Sequence, residues 1–461
     1  MQKYLKWAFG ALMVLTQTAL AVPVIPGASG FGINTPAGRG GQVIKVTNLN
    51  SSGSGSLLAC ISASGPRVCV FEVAGNINVT NDFKIMNPNI TIAGQTAPHP
   101  GITILGAGLM VRASDVLVQH IAVRPGDRLD GPSPHLRNAL MISPPNSDSG
   151  TISNIVIDHC SFSWSVDQIA NTWLDVDNVT IRNSVFAYPL DDSIHPQTPS
   201  DGYGHGFGPL WGYGPGKIDM SGSVIAHTRS RSPRTQMAGF VFRNNVVYNY
   251  GNIGTELSGK SYVSYNDIVN NVYIEGTDTT GPAIKIGPWG DDLLSGSRVY
   301  ETGNLKVRTD GSTTSNVLDP VGSVMSGTPL FASLSSQAIP VNSGSFVENL
   351  VANAGRRPAT RDSDDVDSRT ARDVINRTGR WINCVEDDGS SRCSANAGGW
   401  PANSQARITL NIPANPSGDS DGDGYTNLEE WLHDHAAAVE FGAEPPPPVP
   451  TPMPPTFSSI N

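Results

Sequence analysis

The stretch Arg229-Ser-Arg231-Ser-Pro233-Arg234 sets three arginines close together in a chain whose formal net charge is −10. A guanidinium presents a planar fork of donors that grips a carboxylate through two hydrogen bonds at once. Pro233 stiffens the backbone beside them. The pattern points to an acidic ligand, with ordinary surface salt bridges as the bland alternative. A second chemical stretch, Leu190 to Gly214, holds Asp191, Asp192, His195 and His205 among the aromatics Tyr203, Phe207, Trp211 and Tyr213. Both stretches read as loops that leave a regular scaffold and line a lateral groove.

The third stretch runs from Asp419 to Glu430. Oxygen donors Asp419, Asp421, Asp423 and Asn427 stand at loop positions one, three, five and nine, with Gly424 at six, Tyr425 at seven and Glu430 at twelve. That spacing matches the EF-hand calcium loop, in which alternate side chains converge on the ion and the glycine makes the sharp bend. Leu428 to His435 offers the helix that follows, and no clear helix precedes. A solvated acidic loop is the plain alternative, and the expected role of bound Ca²⁺ is structural.

These loops need a scaffold, and the sequence supplies a repeat. Ile155-Val-Ile157-Asp-His159-Cys-Ser-Phe162 and Val179-Thr-Ile181-Arg-Asn183-Ser-Val-Phe186 share one pattern, in which two alternating apolar residues precede a turn residue and a further apolar one follows. Further copies centre on His120, Gly222 and Asn244, with weaker ones at Gly94 and Asn271. The turn column contains the residue types that best tolerate positive φ. Its spacing lies in the twenties, apart from the longer intervals His120 to His159 and Asn183 to Gly222, which read as inserted loops. Such a period marks a solenoid of strand, bend and strand. The expected fold class is therefore all-β, a right-handed parallel β-helix; a β-sandwich would explain the alternation but not the in-register turns. Asp158 and Arg182 fall in one column on adjacent coils and are expected to pair.

The remaining features bound the molecule. The 49 glycines and 35 prolines favour a loop-rich β protein, and a pI near 5.3 argues against nucleic acid as a partner. Residues 1–21 read as a signal peptide, with lysines, an apolar run and the ending Ala19-Leu20-Ala21. No other segment reads as membrane-spanning, so the mature chain is expected to be soluble and secreted. Cys60 with Cys69, and Cys384 with Cys393, each bracket a short loop that an oxidising compartment would allow to close. Cys160 is left over as a buried thiol. The expected organisation is a β-helix over 22–354, a C-terminal extension over 355–440 with a short helix within Arg356 to Ile382, and a proline-rich tail over 441–461.

Ile157-Asp158-His159, SFSWSVDQ from Ser161, NVTIRN from Asn178, HGFG from His205 and Arg231-Ser-Pro233-Arg234 together resemble the pectate lyase family, polysaccharide lyase family 1. The similarity runs from about Gly30 to Tyr250, with GGWP at Gly398 and the calcium loop resembling the ends of secreted members. The resemblance implies calcium-assisted β-elimination of homogalacturonan, an acidic plant cell-wall polysaccharide, by an extracellular enzyme, read here as a monomer. It implies Arg231 as the base, and Arg229, Arg234 and His205 at the substrate. It implies Asp167 and Asn138 at the metal. The sequence departs from the family pattern at Asn138 and Gln168, where acidic residues are expected, at Gln236 in place of a second arginine, and at Gln197 in place of a lysine. Weakened calcium binding and altered substrate preference follow from those departures.

Two other functions compete. A polygalacturonase-like hydrolase on the same fold would use clustered aspartates and a Gly-His-Gly element, which Asp191-Asp192 and Gly204-His205-Gly206 match superficially. A non-catalytic polysaccharide-binding protein would keep the groove without the chemistry.

Overall fold

The computed structural model describes residues 22–442, apart from 199–202, 213, 321, 323, 342–344, 363–364 and 403. The expected signal peptide, and the proline-rich tail from 443 onward, lie outside the described residues. Among the described residues, strands assemble into three long sheets of ten, nine and eleven members. Successive coils contribute one strand to each sheet. The first sheet runs from Gln42–Val46 to Arg298–Thr302, the second from Phe83–Ile85 to Leu318–Asp319, and the third from Val73–Asn78 to Leu305–Val307 before short antiparallel additions. All other named pairings are parallel, as a solenoid requires.

Register follows from the apolar columns. Ile90, Val116, Ile155, Val179, Ile218 and Phe240 stack in the first sheet, and Ile92, Val118, Ile157, Ile181, Met220 and Phe242 stack beside them. These residues are buried in one continuous interior cluster. Each such side chain withdrawn from water contributes roughly 1.5–3 kcal/mol, and a slip of one residue would turn the whole column outward.

From His120 onward, the bend between the first and third sheets is a single left-handed residue per coil. His120, His159, Asn183, Gly222, Asn244, Asn270 and Gly303 take φ between 46° and 66°. This corrects two members of the expected column. Gly94 opens a short 3-10 helix, Gly94–Thr96, where a Cβ would meet the His120 carbonyl oxygen at 2.4 Å. Asn270, rather than Asn271, makes the bend in its coil. Asn271 instead points inward and joins a buried ladder. The backbone amides of Ser184, Ser223, Asn245 and Asn271 donate in turn to the side chains of Ser223, Asn245, Asn271 and Asn304.

Both cysteine pairs are disulfide-bonded, and Cys160 is buried, with its thiol pushed up by that burial. The chain after the last coils folds back over the solenoid. Helix Val366–Asn376 packs Val366 and Val374 on an outer cluster with Val185, Ala187 and Tyr188. Helix Asn427–Phe441, opened by a capping box between Thr426 and Glu429, packs Leu428 and Leu432 on Val68, Val70 and Ala93. No helix among the described residues is long and apolar enough to cross a membrane.

Candidate functional site

The corner between the third and second sheets carries loops of different lengths. Trp164, Tyr188, His227 and Asn249 each leave the third sheet in the left-handed region, with φ between 48° and 60°. The segments that follow lie side by side, because Phe207 bridges Gln168 on one flank and Ser230 on the other. His135, Asp167, Gln168, His195, Pro196, Gln197, His205 and Arg231 line the resulting open groove, of about 550 Å³. The guanidinium-rich loop and the Asp167 carboxylate therefore share one wall.

Asp167 is buried at the groove floor. Its Oδ1 lies 3.1 Å from His205 Nε2 and accepts from Gln168 Nε2 at 2.6 Å. His205 stacks on His195, with ring centres 3.6 Å apart. Gly204 and Gly206 flank His205 because both press on Asp191, where an added Cβ would come within 2.4 Å and 2.9 Å of its atoms. The Gly-His-Gly element is thus explained by close packing. Sequence alone did not connect His195 to this group, since the loop length hides the stacking.

The three arginines differ in their surroundings. Arg231 sits at φ 63°, its guanidinium 4.1 Å from the Phe207 ring centre and its backbone N–H donating to Glu256 Oε1 at 2.8 Å. Arg229 donates from Nε to Asp191 Oδ1 at 2.6 Å, pairs with Oδ2 as well, and lies between the rings of Tyr203 and Trp381. Burial alone would lower the Arg229 guanidinium, but the Asp191 carboxylate holds it above its ordinary value. Arg234 reaches Glu256 Oε2 at 3.3 Å and also pairs with Asp291, on which Gln236 Nε2 converges at 3.5 Å. Glu256 and Trp381 escaped the sequence reading because each lies far along the chain from the arginine it holds. Asp192 is exposed, and its backbone N–H donates to Asn383.

Calcium takes six to eight oxygens in a flexible cage. In the groove, Asp167 already serves His205 and Gln168, and the other metal-ligating side chains grouped with it are the imidazoles of His195 and His205. Asn138, buried, donates from Nδ2 to the Leu136 carbonyl, while its Oδ1 has no hydrogen-bond partner. This donor set does not fit a calcium cage. The C-terminal loop fits better: carboxylate oxygens of Asp419, Asp421 and Asp423 lie within 4.8 Å of one another. Asp419 accepts from the backbone of Gly422 and Gly424, Asp423 accepts from Tyr425, and the Asn427 side chain accepts from Ser420. Glu430 at the twelfth position is raised above the usual carboxylate range by partial burial and by these three aspartates. No helix runs directly into the loop, since residues 408–418 are not helical.

Fold and groove together define a parallel β-helix with a polar lateral cleft. Comparison with known proteins gives the relationship. No family model matches the chain. It is 35% identical over 279 residues to a protein named probable pectate lyase C from Aspergillus fumigatus, across 60% of this chain and 60% of that one. It is 29% identical over 431 residues to a protein of the same name from Aspergillus flavus, across 90% and 94% of the two chains. Over these spans the chain is similar to proteins named pectate lyase, and it covers about 60% of the length of the Aspergillus fumigatus relative. Among solved structures, a cedar pollen allergen aligns with 71% of this chain and 92% of its own at 17% identity and a TM-score of 0.49. A pectate lyase bound to a hexasaccharide aligns with 73% and 98% at 14% identity and a TM-score of 0.47.

Proposed function

We propose that this chain is an extracellular polysaccharide lyase that cleaves homogalacturonan by β-elimination. The observation that carries the reading is the common wall formed by Arg231, Asp167 and His205. In the elimination, a base takes the proton at C5 of a uronate, the freed electron pair becomes a C4–C5 double bond, and the C4–O4 bond breaks with its pair leaving on O4, which takes up a proton from water to become the hydroxyl of the departing chain. That proton is a weak acid until positive charge neutralises the neighbouring carboxylate and the developing enolate. Arg231 is assigned the C5 position as the first candidate base: its guanidinium must be neutral to accept the proton and, once it has done so, supplies that positive charge. Glu256 and Phe207 orient it. His205, hydrogen-bonded to Asp167, is the second group able to accept a proton there, because a base held by a carboxylate has the make-up of a general base. Arg229 and Arg234 brace the loop through Asp191, Glu256 and Asp291, so their substrate role is to hold Arg231 in place. Calcium belongs at Asp419, Asp421, Asp423, Tyr425, Asn427 and Glu430, where it supports the terminus.

The test is incubation with polygalacturonate, with and without a chelator, followed by ultraviolet absorbance of the product. Elimination leaves an unsaturated uronate that absorbs. New reducing ends without absorbance would instead identify a hydrolase, and neither signal would identify a binding protein. The pH–rate profiles of Arg231→Lys and His205→Asn separate the two candidate bases, because only loss of the true base removes its titration from the profile.

A further inference from the structure

The tight-turn corner carries a cluster that the groove chemistry does not use. His120 and His159 stack across adjacent coils, with ring centres 5.1 Å apart and planes inclined by 6°. Asp158 lies beside them on the strand, and Glu440 arrives from the last turn of helix Asn427–Phe441. One ligand atom from each of the four lies within 4.8 Å of the others. Glu440 Oε1 is 3.2 Å from His120 Nε2 and 3.2 Å from His159 Nδ1, and His159 Nδ1 is 2.9 Å from Asp158 Oδ1. Yet His120 Nε2, His159 Nδ1 and Asp158 Oδ1 are all buried without a hydrogen bond of ordinary geometry.

The far side of His120 fixes its tautomer. Nδ1 lies 2.8 Å from the carbonyl oxygen of Arg356, which can only accept, so Nδ1 carries the proton. In the neutral ring Nε2 is then a lone pair, and it faces a carboxylate oxygen. Two acceptors at that distance need a positive charge between them. A ring N–H given to a backbone carbonyl with the opposite nitrogen turned into a cluster of carboxylates is the arrangement of a metal-ligating histidine. The spacing agrees. Bonds of ~2.0–2.2 Å in a tetrahedron separate ligand atoms by roughly 3.3–3.6 Å, within a few tenths of an ångström of the 2.9–3.2 Å contacts here. Two imidazoles and two carboxylates suit a borderline ion such as zinc rather than calcium. Arg182 Nε, 3.4 Å from Asp158 Oδ1, and Gln119, which donates to Oδ2 at 2.8 Å, hold the aspartate in place.

We propose that His120, His159, Asp158 and Glu440 form a divalent transition-metal site of the zinc type. It fastens the end of the C-terminal helix to the stacked coils. The rival occupant is a proton, which would make His120 a buried imidazolium paired with Glu440.

The full chain, stripped with a chelator, is titrated with Zn²⁺ or Co²⁺ in excess Ca²⁺, so that the 419–430 loop is already filled. The expected result is one transition metal bound per chain, a tetrahedral Co²⁺ absorption spectrum and a raised Tm. His159→Asn and Glu440→Gln each weaken that binding by ~100-fold or more. Asparagine serves the same left-handed position at Asn183 and Asn244, so His159→Asn keeps the turn. Absence of binding to the wild-type chain overturns the site in favour of the proton. Binding that survives both variants and is lost in His205→Gln overturns it in favour of Asp167, His195 and His205.

Discussion

Two corners of each coil use the same chain in opposite ways. At one, a single left-handed residue turns the chain from the first sheet into the third, coil after coil, and the columns beside it repeat almost unchanged. At the other, the chain leaves the third sheet with a similar left-handed residue and then wanders through segments of unequal length before joining the second. The regular corner stores stability in repetition, whereas the irregular one brings distant residues such as Asp167, His205 and Arg231 together once only. The difference teaches that a solenoid can confine its chemistry to one edge without disturbing the stack.

The sharpest way to break this comparison is Arg231→Ala. It should lower kcat/KM on polygalacturonate by ~10³-fold while leaving Tm within a degree or two of wild type. A large loss of Tm would show that the loop corner also carries the fold. The converse change is Asn271→Ala in the buried ladder. It strands the Asn245 backbone amide and removes a donor from the carbonyls of Phe242 and Val269, of which Val269 keeps the Asn244 N–H. A loss of about 3 kcal/mol is expected in denaturant unfolding, with kcat per folded molecule unchanged.

Asn183→Ala should cost about 1 kcal/mol, because alanine lacks asparagine's tolerance of φ 47°, and Asn183→Gly should cost less. Equal effects of the two would mean that the asparagine is kept for its contacts instead. The last effect is one of pH dependence, from Asp373→Asn. Asp373 lies beneath the loop corner, where burial would raise its carboxyl, but hydrogen bonds from His227, Tyr188 and Thr378 outweigh that and depress it from 3.8 to about 2. A depressed carboxylate contributes stability above its unfolded pKa and loses it as pH falls through the folded value. Tm of the wild type should therefore drop between about pH 4 and pH 2 more steeply than that of Asp373→Asn.

Legibility in the sequence follows the same division. The coils were readable because Ile, Val and Phe recur in phase with a turn residue, and Asp158 opposite Arg182 follows from that register alone. The phase slips where two asparagines adjoin: Asn270 and Asn271 are both turn-compatible types, and only the inward ladder decides between them. In the groove, Arg231 and Asp167 were visible through the family resemblance, whereas His195 stacking on His205 was not. Their closeness depends on how an inserted loop closes, and periodicity is silent there. Glu256, Trp381 and Glu440 were missed for a related reason. Each reaches its partners across tens to hundreds of residues, and an isolated acidic or aromatic side chain carries no local signal.

The strand Ala406–Arg407 lies antiparallel on Val73–Ala74, at the start of the third sheet, and the C-terminal helix covers the strands beside it. A stack of parallel strands ends in bare amides and carbonyls, which offer a template for other molecules to extend. By returning to where the stack begins, the chain covers part of its own open edge. Shortened forms that stop before Ala406 should accordingly associate end to end, and polymer formation would then be a property of truncation rather than of misfolding.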